Sequence, residues 1–246
     1  LEAMVPAVTA SVVGDLVCRA LGTAHTHYPT LAPLPLRAPL LLTWVLFGAA
    51  MAAAAWVFIE LTHGLKALST RHLRRLPLRM AAGGVAVVLL WRMTGTDDYL
   101  GLGVGVIVRA FHDPHLGAWV FALKLLFTAV TLGAGFLGGE VTPLFFVGAA
   151  LGSVLARLLG IPIELGAGVG MAAVFAASSN APLALSIMAM ELLGASAFPH
   201  VVIVCAFAWL LSGHRSIYPA QRLVRAKSGA AMASPTALRD LGDGKP

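Results

Sequence analysis

The feature that most limits the fold is a succession of apolar segments, uneven in length and repeatedly broken by Gly and Pro. They run over residues 3–21, 38–65, 77–93, 100–111, 116–136, 143–159, 165–177, 181–194 and 198–212. A helix needs about 20 apolar residues to cross the hydrocarbon core of a bilayer. The segment 38–65 exceeds that length, whereas 100–111, 165–177 and 181–194 fall short. Short, interrupted apolar segments belong to channels and secondary transporters, where irregular backbone lines a cavity enclosed by protein. A receptor or a simple anchor would show uniform spans.

Charge supports the same reading. Only 11% of residues are charged, against about 25% in a soluble domain, and 59% are hydrophobic. The apolar runs lack period-two alternation, which favours helices over an outer-membrane barrel. The expected fold is therefore an all-α integral membrane bundle of tilted and broken helices. It would occupy residues 1–227, with a small, polar, disordered tail over 228–246. The start, "LEAMVPAVTASVVGDLVCRALG", has no basic n-region and reads as if cut within a helix.

Basic residues cluster in "KALSTRHLRRLPLR" (66–79) and again in "HRSIYPAQRLVRAK" (214–227), while the loop at 22–37 holds only Arg37. By the positive-inside rule, the 66–79 loop and the C-terminus lie in the cytoplasm of a plasma (cell inner) membrane protein. This topological role accounts for the clusters in preference to nucleic-acid or lipid-specific binding. Cys18 and Cys205 sit in apolar runs and read as small hydrophobes. No Cys/His spacing suits a metal, and no cofactor is expected. His25 and His27, like His112 and His115, read as loop residues.

One break stands apart. "GGEVTP" (138–143) divides two apolar runs and carries the only acid of its neighbourhood. Pro143 suits the first turn of a helix, with Thr142 as its cap. A helix start at membrane depth is a ready anion site, because its N–H groups are unpaired and its dipole is positive there. Gly138 and Gly139 would let the backbone approach an ion and adopt positive φ. Glu140 has three readings: a cap, a proton carrier, or a side chain turned away. Farther on, Asn180 is a candidate cap for a helix opening at Pro182. Tyr218 in "RSIYP" is either an interfacial belt residue or a hydroxyl donor to an anion.

Three stretches in this order, "GGEVTPLFFVGAALG", "GVGMAAVFAASSNAPLALSIMAMELLG" and "RSIYP", resemble the C-terminal half of the CLC family of chloride channels and anion/proton transporters. The resemblance covers nearly all of residues 1–225. It implies the second half of an inverted repeat, halide anions and protons as the transported ions, the lipid bilayer as surroundings, and a homodimer. The dimer interface would draw on the first span and on 182–194 and 198–211. The "GGEVTP" form is similar to the fluoride/proton antiporter branch. That implies anion-binding or proton-coupling roles for Gly138, Gly139, Glu140, Val141, Thr142 and Tyr218. The family's N-terminal half should bring a second anion loop and a gating glutamate in a Gly-Arg/Lys-Glu-Gly stretch, which this chain does not contain. The expectation is that these 246 residues alone do not carry out coupled transport. The competing readings are a chloride-conducting member of the family and a non-transporting fragment. A membrane enzyme using Glu140 as acid or base lacks a second catalytic group beside it.

Overall fold

The computed structural model describes residues 4–23, 26–218, 220–225, 227 and 231–237. Nine helices are described: α1 Met4–Ala20, α2 Ala38–His72, α3 Leu76–Thr94, α4 Val104–His112, α5 Val120–Gly133, α6 Val141–Leu159, α7 Ile163–Ser179, α8 Pro182–Leu193 and α9 Phe198–Leu211. Each expected apolar segment becomes one helix. Three of them, α2, α3 and α6, are long and apolar enough to cross a membrane.

The expected 66–79 loop is largely helical. α2 continues through Lys66, Arg71 and His72, and α3 resumes at Leu76, so only residues 73–75 link them. Leu, Lys, Ala and Arg are good helix formers, and polarity alone does not end a helix. At 1.5 Å per residue, α2 is about 52 Å long, so it outruns a hydrocarbon layer of about 30 Å.

α7 is the core. Every residue from Leu165 to Ser179 is buried, as a helix apolar on all sides must be. α6 packs against it more extensively than any other element does, and α2, α4, α8 and α9 surround the pair. The α6–α7 crossing depends on missing side chains. A Cβ on Gly148 would lie 2.3 Å from the Gly170 carbonyl oxygen, and one on Gly152 would lie 2.2 Å from that of Gly166. Small residues four apart on both helices let the backbones touch, a recognised mode of helix packing in lipid.

The outer helices differ. No residue of α1 is buried, and in α3 only Gly83 is. Cys205 is buried as expected, whereas Cys18 on α1 is only partly covered. The loop before α2 is strapped to the α8–α9 corner: Leu31 N–H donates to the Leu193 carbonyl at 2.9 Å, and His200 Nε2 lies 2.9 Å from the Leu34 carbonyl. His200 Nδ1 accepts from Trp44 Nε1 at 3.1 Å, which fixes the proton on Nε2.

Beyond the helices, β1 (Arg222–Arg225) pairs antiparallel with β2 (Ala231–Ala237). This departs from the expected disorder after 228 for residues 231–237. A two-stranded ribbon consists only of edges, so Pro235 does not bar pairing. Residues 228–230 and 238–246 of that tail lie outside the described residues, as does His25.

Candidate functional site

α5 ends at Gly133, and the chain turns at Gly135, whose φ of +95° is in the left-handed region. The turn therefore sits at Gly135. Gly138 and Gly139 do not have the positive φ expected of them. Gly139 provides open space, since a Cβ there would meet nothing within 4 Å, whereas one on Gly138 would touch Leu132 Cδ2 at 3.6 Å.

α6 begins at Val141 rather than Pro143. Glu140 is its N-cap residue at φ −95° and ψ −16°, and it makes no side-chain capping hydrogen bond. Thr142 lies inside the first turn and does not cap. Pro143 falls at the third helical position, where an N–H would have no intrahelical acceptor in any case. The first helical bond runs from Leu144 N–H to the Glu140 carbonyl at 3.1 Å. Among the described residues, no backbone N–H from Leu137 to Thr142 finds a protein acceptor. The start of α6 thus presents a run of unpaired donors together with the positive end of its dipole.

Glu140 is half-buried, and none of the ion pairs among the described residues includes it. The cation that acts on it is Lys66 of α2. α2 reaches this region through a tight contact, because a Cβ on Gly133 would lie 2.7 Å from Leu65 Cβ. Ser69 Oγ also donates to the Gly133 carbonyl at 2.6 Å.

α6 and α7 are antiparallel. The Gly148–Gly170 and Gly152–Gly166 contacts set a register that brings Glu140 level with Ser178. Ser178 is where the last part of the site docks. Ile217 N–H donates to the Ser178 carbonyl at 2.9 Å, and Asn180 Nδ2 donates to the Arg215 carbonyl at 3.1 Å. Tyr218 follows, 45% exposed. Glu140 and Thr142 therefore share one end of the α6–α7 pair with Tyr218, which lies far from them in sequence. Arg215 is held in turn by an ion pair with Glu60 and lies over the Trp56 ring. Asn180 does not cap α8. It ends α7 in the left-handed conformation, at φ 56°.

One buried charge escaped the sequence reading. Lys124 of α5 is 1% exposed, and its Nζ donates to the Tyr99 carbonyl at 3.1 Å and the Gly101 carbonyl at 2.7 Å. It lies 5.2 Å from the ring centre of Phe146 on α6. The ammonium ties the 99–103 segment to the second turn of α6, behind the unpaired donors. Its signal was a lone Lys within "VFALKLLFTAV". No group of three His, Cys, Asp or Glu suited to a metal occurs among the described residues.

Comparison with known proteins gives a consistent picture. The family model described as voltage gated chloride channel matches residues 1–213. A chloride/fluoride channel protein of Pseudomonas syringae pv. tomato is 39% identical over 98% of this chain and 54% of its own length. A voltage-gated ClC-type chloride channel, ClcB, of Salmonella dublin is 35% identical over 58% of this chain and 37% of its own length. Among solved structures, the crystal structure of a CLC-type fluoride/proton antiporter superposes with a TM-score of 0.85 at 33% identity, covering 89% of this chain and 55% of that one. This chain thus spans about half the length of the Pseudomonas relative.

Proposed function

Since the chain belongs to the voltage-gated chloride channel family, we propose that it builds one side of a transmembrane anion pathway that exports fluoride in exchange for protons. The observation that carries this reading is the run of unpaired backbone N–H groups from Leu137 to Thr142 at the start of a buried helix. These donors suit a small anion without committing a fixed countercharge.

In this reading Gly138 and Gly139 leave room for the ion, and the Val141 N–H and the Thr142 hydroxyl donate to it. Glu140 carries the proton, with Lys66 the cation that acts on it. The Tyr218 hydroxyl serves the same end of the path. Fluoride is small, basic and strongly hydrated, so hydroxyl and carboxyl partners replace its water better than an apolar lining does. The chain would lie in the plasma membrane, with the α2–α3 link and the C-terminus in the cytoplasm. It would act as a transporter, not an enzyme, and would pair with a second copy. The exposed Leu183 and Ile187 of α8 and the uncovered face of α1 support that pairing.

The test is flux from proteoliposomes read with fluoride and chloride electrodes. One preparation holds this chain alone. The other holds it joined to the part of the Pseudomonas relative that it does not match. The joined protein is expected to release fluoride far faster than chloride, and the single chain to release neither. Chloride leaving as fast as fluoride would refute the assignment.

A further inference from the structure

We propose that the charged end of α2 binds the phosphate of an anionic phospholipid, on a surface that adjoins the anion pathway at Lys66. A shallow, open surface runs along the last turns of α2 and carries His63, Lys66, Ala67, Thr70 and Arg71. These positions recur at helical spacing, so they form one face.

The cations on this face are available to a phosphate. Lys66 and Arg71 are exposed and enter none of the ion pairs among the described residues. Arg79 from α3 reaches Thr70 on this face. Its Nη1 donates to Thr70 Oγ1 at 3.0 Å, while its Nε donates to the Ala134 carbonyl at 3.1 Å. That guanidinium is held in place before any ligand arrives, and guanidinium groups match phosphate oxygens geometrically. None of the ion pairs among the described residues includes Arg71, Arg74, Arg75 or Arg79, so the patch keeps a net positive charge.

Location and rim select the source of the phosphate. The apolar stretch of α2 ends at Leu65, so this face begins where the hydrocarbon gives way to headgroups. Basic pockets at that depth are where anionic headgroups dock. Beside the cations, Leu68, Leu76 and Leu78 are 55%, 48% and 56% exposed. Leucines there suit an acyl chain, whereas free phosphate offers them nothing.

The experiment is thermal unfolding of the purified protein in neutral detergent with phosphatidylglycerol, phosphatidylcholine or inorganic phosphate added, paired with native mass spectrometry. The expected result is a midpoint several degrees higher with phosphatidylglycerol than with either other addition. The K66Q/R71Q variant should lose that shift and retain at least threefold less phosphatidylglycerol. Both side chains are exposed, so its unliganded midpoint is expected to match the parent; K66Q alone, read by lipid retention, serves if it does not. R92Q, at the opposite end of α3, should respond as the parent does. A K66Q/R71Q variant that still responds, a loss in R92Q as well, or equal protection by inorganic phosphate overturns the site as a lipid site.

Discussion

Replacing Gly152 by Ala tests whether backbone contact between α6 and α7 holds the site together. The added Cβ would stand 2.2 Å from the Gly166 carbonyl oxygen, 2.9 Å from its carbon and 3.3 Å from Ala167 Cα. All three atoms are backbone, so no side-chain rotation relieves the clash. Bringing the first contact to van der Waals distance means opening the crossing by roughly 1 Å. A gap of that size forfeits a quarter to a half of each dispersion contact along the seam. Overpacking of this kind costs about 1–3 kcal/mol or more. Against it stands the better helix propensity of Ala, roughly 0.8–1 kcal/mol. A net loss of up to about 2 kcal/mol corresponds to a fall in melting midpoint of up to about 4–8 °C for a chain of this size. The assay is loss of the monodisperse peak in detergent after heating. The control is Gly105→Ala in α4, where a Cβ meets nothing within 4 Å; its midpoint should hold or rise slightly. A Gly152→Ala protein as stable as the parent would refute the idea that these backbones touch.

Two further outcomes follow from the buried and docked lysines. Lys124→Met leaves the Tyr99 and Gly101 carbonyls without their donor, which should cost about 1–3 kcal/mol and speed proteolysis in the 95–103 segment, measured against the parent by mass spectrometry of the fragments. Lys227 donates to the Trp209 carbonyl at the end of α9, and burial lowers its amine from 10.5 to about 8. Between those values the unfolded chain holds more protons, so stability should rise with pH from about 8 to 10.5. Melting curves of the parent and Lys227→Met across that window should diverge in favour of the parent as pH rises, and a divergence of the opposite sign would contradict the docking.

The helices were legible because burial in lipid or protein requires apolar runs, and each run was long enough to be seen. Their ends were less so. Glu140 and Thr142 are compatible with both a cap and a first turn, and only the backbone at Glu140 shows that the helix has already begun. Asn180 suits either end of a helix, and it took the left-handed position that ends α7. The basic stretch at 66–79 looked like a loop because charge was read as solvent exposure, although its residues favour helix. The site's chemistry was visible as "GGEVTP" and "RSIYP", but their meeting was not. That depends on the antiparallel register set by Gly148, Gly152, Gly166 and Gly170. The GxxxG spacing of those glycines could have disclosed it. Lys124 was hidden because a single cation in an apolar run does not say which carbonyls will satisfy it.

The most direct test of the pathway is Glu140→Gln in the joined protein, with fluoride efflux and proton uptake recorded together from the same proteoliposomes. Glutamine keeps the size and hydrogen-bonding capacity of the side chain and removes its proton exchange. The expected result is fluoride-driven proton uptake in the parent and its loss in the variant. Undiminished proton uptake in the Glu140→Gln protein would contradict the account, because the carboxylate at the start of α6 would then not be the group that couples the two ions.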